Sequence, residues 1–270
     1  NPCPMGVPVR VWPRAPIFFM TRFHFTFDKT KKAQNLKKKL LIKYKNYSPN
    51  FADFIIVGGG DGFMLNALKK NVNFKKPFYG INCGSFGFLM NKFVDKNLEK
   101  KIILSKKVSI KPLVLKIKNK KPILAINEVS LFRQGRQTAN LNLKVGKKEI
   151  IKKLIGDGIL ISTPAGSTAY NLSVNGPVLS LGSNKLAVTP ISPFRPRRWK
   201  GRLTSNTQEV VITNLDPIKR PVAAVADNIE IRNVKSVNIS ISKKIIFYLM
   251  YEKSRSLIKR IKLEQIRQKI

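Results

Sequence analysis

The chain has 270 residues, with 52 Lys and Arg against 14 Asp and Glu, a formal charge of +38 and 43% hydrophobic residues. That length allows one large or two ordinary domains with a packed core, and no apolar run is long enough to span a bilayer. A single histidine and two cysteines, Cys3 and Cys83, exclude a Ser-His-Asp mechanism, a disulfide framework and a thiolate zinc site, so acid–base work falls to carboxylates, Lys or Tyr in a reducing, cytoplasmic setting.

The charge has two readings. One is a nucleic-acid binder. The other is a surface drifted toward lysine that gathers anionic substrates. The lysines are spread over the whole chain, and no aromatic–basic interleaving of the kind found on RNA-recognition strands occurs, which favours the second.

Residues 1–20 match no structural period and hold no apolar core leading to a small-residue cleavage site. They read as a disordered or artefactual leader, with Met20 as a start. Phe23–Phe27 alternates aromatic residues as a first strand, and Asp28 or Thr30 can cap a Lys-rich helix over 31–44. A second strand over 53–57 runs into Gly58-Gly59-Gly60-Asp61-Gly62 and a helix to about Lys70. Glycines after a buried strand let the backbone turn sharply and approach a ligand, and amides opening the next helix attract anions. Asp61 is then either a carboxylate aimed into a phosphate cradle or a simple helix cap. The spacing is neither a Walker A loop nor a dinucleotide fingerprint.

A third strand, Pro77–Asn82, feeds a second glycine turn, Cys83-Gly84-Ser85-Phe86-Gly87. Strand–helix–strand–helix–strand predicts a small parallel, Rossmann-like sheet with helices on both faces and both glycine turns at one carboxyl edge. After about Ser105 the texture becomes β-rich, with short strands expected over 108–118, 123–132, 141–145, 159–162, 210–213, 222–226, 229–231 and 237–241. Helical spacing closes the chain over 252–268, which predicts a C-terminal helix packing back on the body.

Within the β-rich part, Asn127-Glu128 interrupts an apolar run. If buried, that carboxylate needs partners, which a ribose diol would supply; an outward-facing pair on an edge strand is the alternative. Gly156-Asp157-Gly158 precedes a strand that ends at Thr163-Pro164-Ala165-Gly166-Ser167-Thr168-Ala169-Tyr170. Ser167 or Thr168 can cap a helix or offer a hydroxyl, and Tyr170 offers a flat face or a phenol to a base.

Gly59-Gly60-Asp61-Gly62, Asn127-Glu128, Gly156-Asp157-Gly158 and Thr163–Tyr170 occur in the order and approximate spacing of the NAD kinase family, which the chain resembles from about Phe23 onward. Gly176-Pro177, Thr189-Pro190-Ile191 and Ala226-Asp227 fit the same pattern, and Ser192-Pro193-Phe194-Arg195-Pro196-Arg197-Arg198-Trp199 looks like the version in bacterial, especially alphaproteobacterial, members. Phe63 stands where many members have Thr, and Leu154-Ile155 where many have an Arg.

The resemblance implies an α/β phosphate-binding domain over 21–105, a β-sandwich NAD-binding domain over 106–250, a helix over 251–270 and an active site between the domains. It implies transfer of the terminal phosphoryl of ATP to the 2′-hydroxyl of the adenosine ribose of NAD, giving NADP. Gly59, Gly60 and Gly62 would offer amides to the donor phosphates, and Mg²⁺ would bridge phosphate oxygens, with no metal ligand assigned. Asp61 would be base or orienter of the hydroxyl, or a Mg²⁺ ligand. Asn127 and Glu128 would hold the adenosine part across the gap from Asp61. Asp157, Ala165, Thr168, Ala169, Tyr170, Asn171, Leu172 and Ser173 would line the dinucleotide pocket, with Asp227 at the adenosine end or a neighbouring subunit's site. A homodimer or homotetramer is implied. The rivals are a lipid kinase of the diacylglycerol or sphingosine type, which also carries a Gly-Gly-Asp-Gly turn, and a basic nucleic-acid protein.

Overall fold

The computed structural model of the chain describes residues 21–85, 87–93 and 96–252. The expected leader over 1–20 and nearly all of the expected C-terminal helix lie outside them; Tyr251, where that helix was expected to begin, ends a strand instead.

The first body follows the expected alternation: β1 (Phe23–Phe27), α1 (Lys31–Lys43), β2 (Phe54–Gly59), α2 (Asp61–Lys70) and β3 (Pro77–Asn82). Thr30 caps α1 by accepting from the Ala33 amide at 3.4 Å. β1, β2 and β3 pair in parallel. The two-residue period of β2 sends Ile56 to one face, where it meets Leu36 and Leu40 of α1, and Ile55 and Val57 to the other, where they meet Met64 and Leu68 of α2. A further short helix, α3 (Leu98–Ile103), joins the α1 face.

The strand expected over 108–118 is two strands in different sheets. β4 (Lys106–Ile110) belongs to the first sheet, and β5 (Leu113–Lys116) begins the sandwich. Pro112, which has no amide to give a ladder, stands at the change. The strand expected over 123–132 also breaks, into β6 (Ile123–Ala125) and β7 (Glu128–Arg133), again in different sheets.

The rest comprises β8 (Ala139–Val145), β9 (Lys148–Gly156), β10 (Gly158–Ser162), the single turn α4 (Tyr170–Ser173), β11 (Lys185–Ile191), β12 (Arg202–Ser205), β13 (Val210–Asn214), β14 (Val222–Ala226), β15 (Ile229–Ile231), β16 (Ser236–Ile241) and β17 (Phe247–Tyr251). Two antiparallel sheets, ordered β6-β5-β16-β13-β8-β9 and β12-β11-β10-β7-β14-β15, form the sandwich. Their inward residues, among them Leu115, Leu131, Leu141, Ile159, Ile212 and Ile239, make one apolar cluster.

β17 leaves the sandwich and inserts between β3 and β4, parallel to the former and antiparallel to the latter. Sheet membership therefore moves the two crossings to after Ile110 and before Phe247, inside the span of 106–250 expected for the sandwich. The bodies meet on the α2 face, where Ile126 and Ala165 join the cluster of Met64, Leu68 and Phe247. No helix among the described residues is long and apolar enough to cross a membrane.

Candidate functional site

At the end of β2 the Gly59 carbonyl accepts from the Cys83 amide at 2.8 Å, which joins the two glycine turns at one edge of the sheet. Gly60 is the N-cap of α2 without a side-chain cap bond, and Asp61 is the first helical residue. A Cβ on Gly60 or Gly62 would meet open space, so the backbone there is approachable. Phe63, at the position where a Thr is usual, lies against Gly59: a Cβ on that glycine would come within 2.8 Å of the ring.

The Asp61 carboxylate reaches the second glycine turn. Its Oδ2 accepts from the Phe88 amide at 2.7 Å and its Oδ1 from the Leu89 amide at 3.0 Å. Each carboxylate oxygen takes one amide of the second turn. Asp61 thus ties the first turn to the second, which explains the acid between glycines better than a helix cap does.

Asn127 and Glu128 sit where the chain changes sheets, and one side chain sets their backbone. Asp227, left-handed at φ 52° and 1% exposed in its side chain, accepts from three consecutive amides. These are Ile126 at 2.8 Å, Asn127 at 2.9 Å and Glu128 at 3.3 Å. Lys69 in the last turn of α2 completes its shell, Nζ to Oδ2 at 2.8 Å. Four protein donors thus engage the Asp227 carboxylate.

The carbonyls of the same segment face the 163–168 turn. Ile126 accepts from the Thr163 hydroxyl at 2.7 Å, and Asn127 from the Thr163 amide at 2.9 Å. A Cβ on Gly166 would stand 2.2 Å from the Asn127 carbonyl oxygen, so only glycine fits there.

Held from both sides, Asn127 Oδ1 and Glu128 Oε2 are buried with no hydrogen-bond partner. Burial, and next the charge of Asp227, push the Glu128 carboxyl up to about 8. Two orphaned acceptors are what a ligand bearing hydroxyl or amino donors would satisfy. Glu128 opens on a hollow of about 500 Å³ lined also by Ser130, Phe132, Arg133, Tyr170 and Val225. Asp157 pairs with Arg133 through the guanidinium Nε. The Tyr170 phenol is pushed up by burial and by the charges of Asp157 and Glu128, which lie near it.

The other expected pocket residues are not among those lining this hollow. Ala165 belongs to the cluster between the bodies, and Thr168 is buried. Ala169 and Leu172 are half-buried and Ser173 is exposed. Asn171 is fully buried and turned inward: its Oδ1 accepts from Thr189 at 2.7 Å and its Nδ2 donates to the Pro177 carbonyl at 3.0 Å. A Cβ on Gly176 would come within 2.1 Å of that amide. Gly176-Pro177 and Thr189 are therefore the seat of Asn171. Leu154, where an Arg is frequent, is sandwich core at 0% exposure.

Residues 59–62 are not among those lining the hollow. Asp61 and Lys69 stand at opposite ends of α2, about 12 Å apart along its axis. α2 links the two: Asp61 opens it, and Lys69 near its end grips the Asp227 carboxylate that holds the Asn127 segment. Lys69 and Arg133 were not singled out from the sequence; among 52 basic residues neither has a distinguishing neighbour pattern.

The model for the ATP-NAD kinase C-terminal domain matches residues 126–245. An NAD kinase of Brucella suis is 44% identical over 248 residues, covering 90% of this chain and 96% of that protein. One of Caulobacter vibrioides is 41% identical over 92% of this chain and 96% of its own length. Among solved structures, an NAD kinase from Archaeoglobus fulgidus in complex with ATP superposes with a TM-score of 0.70 at 21% identity, covering 88% of this chain and 96% of that one. Yeast NADH kinase complexed with NADH gives 0.67 at 23% identity, over 79% and 66%. Motif order, a parallel sheet joined to an antiparallel sandwich, and relatives matched over nearly their whole length agree: this chain is a phosphotransferase that belongs to the NAD kinase family.

Proposed function

We propose that the chain transfers the terminal phosphoryl group of ATP to the 2′-hydroxyl of the adenosine ribose of NAD, with the acceptor's adenosine end at Asn127 and Glu128. The observation that carries the placement is the pair of buried acceptors without partners, Asn127 Oδ1 and Glu128 Oε2, the second on a residue that lines the hollow beside Tyr170. Ribose hydroxyls and an adenine amino group are donors of the right kind. Tyr170 offers a face to the base, and Arg133 beside Asp157 offers positive charge to the dinucleotide phosphates.

The bond from the γ-phosphorus to the bridging oxygen of ATP breaks, and the bond from the 2′-oxygen to phosphorus forms. Asp61 accepts or orients the hydroxyl proton. Open backbone at Gly60 and Gly62 and the amides of the first turn of α2 receive donor phosphates.

Among the described residues no group of three or more His, Cys, Asp or Glu could hold a metal ion alone. A Mg²⁺ arriving with the ATP phosphates would neutralise charge on the transferred group. A cytoplasmic homodimer or homotetramer completes the proposal.

The test is a coupled assay: purified chain, Mg-ATP and NAD, with NADP read by an NADP-specific dehydrogenase. NADP formation that depends on both substrates is the expected result, and ATP turnover onto a lipid diol in its place would favour the lipid-kinase reading.

A further inference from the structure

We propose that Lys69 is a positioning residue for the acceptor: by gripping Asp227 it holds the Asn127–Glu128 backbone where the adenosine end of NAD must dock. This rests on the placement of the acceptor given above. A residue on α2, the helix that begins at the phosphate-binding turn, would then set the geometry of the other substrate's site.

The argument starts from the three amides. Ile126 and Asn127 belong to no strand, since the chain is passing between sheets. Their carbonyls are taken by Thr163, and their amides have one acceptor, the Asp227 carboxylate. That carboxylate is buried at 1% exposure, and its charged partner at 2.8 Å is the Lys69 ammonium, itself 17% exposed. The same ammonium reaches Asn228 Oδ1 at 3.4 Å, so it spans the β14–β15 turn on which Asp227 sits.

A buried carboxylate that loses its counter-charge is strongly destabilised where it stands. Asp227 sits in the turn between β14 and β15, its amide donating to the Glu128 carbonyl at 3.1 Å, and Asn228 and Ile229 beside it are exposed, so a carboxylate that shifts toward water moves this turn. Any such shift carries Asn127 and Glu128 with it. The donor site, about 12 Å away along α2, has no part in this network.

The experiment compares full-length Lys69→Met, Lys69→Arg, Asp227→Asn and the Lys69→Met/Asp227→Asn double variant in initial-rate assays with Mg-ATP and NAD. Lys69→Met is expected to raise KM for NAD about tenfold, as loss of one charge-assisted hydrogen bond would. KM for ATP is expected to stay within about twofold, Lys69→Arg to restore the wild-type value, and the double variant to match Asp227→Asn alone. Should Lys69→Met fail to fold, Lys69→Gln, which keeps a donor, takes its place.

An unchanged KM for NAD overturns the proposal. So does a parallel rise in both Michaelis constants, the mark of a loosened fold, or multiplying effects in the double variant. Glu128→Ala serves as the control. A normal KM for NAD there defeats the placement of the acceptor itself, whereas a raised value with an unaltered Lys69→Met defeats only the role of Lys69.

Discussion

At the scale of single residues, two carboxyls have opposite surroundings. Asp61 is supplied with amide donors, and Glu128 keeps an oxygen with none. Asp61→Asn keeps the size but replaces one acceptor oxygen with an NH₂ that faces a backbone amide. Turnover should fall by roughly 100- to 10,000-fold, the usual worth of general-base assistance, while KM for NAD changes little. Single-turnover rates at saturating substrates check this, and wild-type turnover would remove Asp61 from the chemistry. Glu128 makes a pH prediction. Its folded value of about 8 lies above the unfolded value of about 4.3, so the folded chain holds an extra proton between them. Its contribution to stability is complete below the unfolded value and is lost as pH rises through that window. Glu128→Gln removes the loss. The melting temperature of the wild type should drop from acid to alkaline pH more steeply than that of the variant; parallel curves would show that Glu128 does not titrate there. The sequence offered reason to suspect a buried acid at Glu128, because an apolar run surrounds it. It gave no sign that Asp227 would be its neighbour, since 99 residues separate the two.

Elements were legible wherever one local period ruled. A cap at Asp28 or Thr30 before a Lys-rich run marked α1, and two apolar runs ending in glycine marked β2 and β3. Legibility failed where a strand's partner decides its fate. β9 reads Lys-Glu-Ile-Ile-Lys-Lys-Leu-Ile-Gly and has no clean alternation, yet β8 holds it through a bulged ladder. β11 contains Pro190, which lies beyond the residues paired to β12 and so costs that ladder nothing. The breaks inside 108–118 and 123–132 follow from tertiary demands, a change of sheet in both cases. The glycines of the motifs proved to be of two kinds, and they should separate in experiment. Gly166→Ala forces a Cβ against the Asn127 carbonyl, which cannot give way, and should lower stability by about 1–3 kcal/mol while weakening NAD. Gly62→Ala points into open space inside a helix and should leave stability unchanged or raise it by about 0.5–1 kcal/mol. Urea midpoints of the two variants decide the contrast.

For the whole molecule, the basic surface is the dominant electrostatic fact. With +38 net charge and few acids to pair, like-charge repulsion opposes compaction. Salt should therefore stabilise the fold: the melting temperature should climb between about 10 mM and 0.5 M sodium chloride as the screening length contracts from ~30 Å to a few ångströms. A flat or falling curve would mean that local pairing outweighs the repulsion. The two-body architecture was readable from the switch in texture near Ser105. The return of the chain to its first sheet was not, because Phe247–Tyr251 looks like any other short apolar strand.

That return has a temporal consequence. β17 fills the slot between β3 and β4, the Tyr251 hydroxyl donates to the Phe88 carbonyl at 2.9 Å, and Asn91 donates to the Met250 carbonyl at 2.8 Å. The loop that seats the Asp61 carboxylate is thereby fastened by residues the ribosome delivers more than 150 positions later. A nascent chain can pair β1, β2 and β3 early, as domains do during synthesis. Until Tyr251 has emerged, a growing chain holds the loop around Asp61 without the strand and the hydroxyl that fasten it.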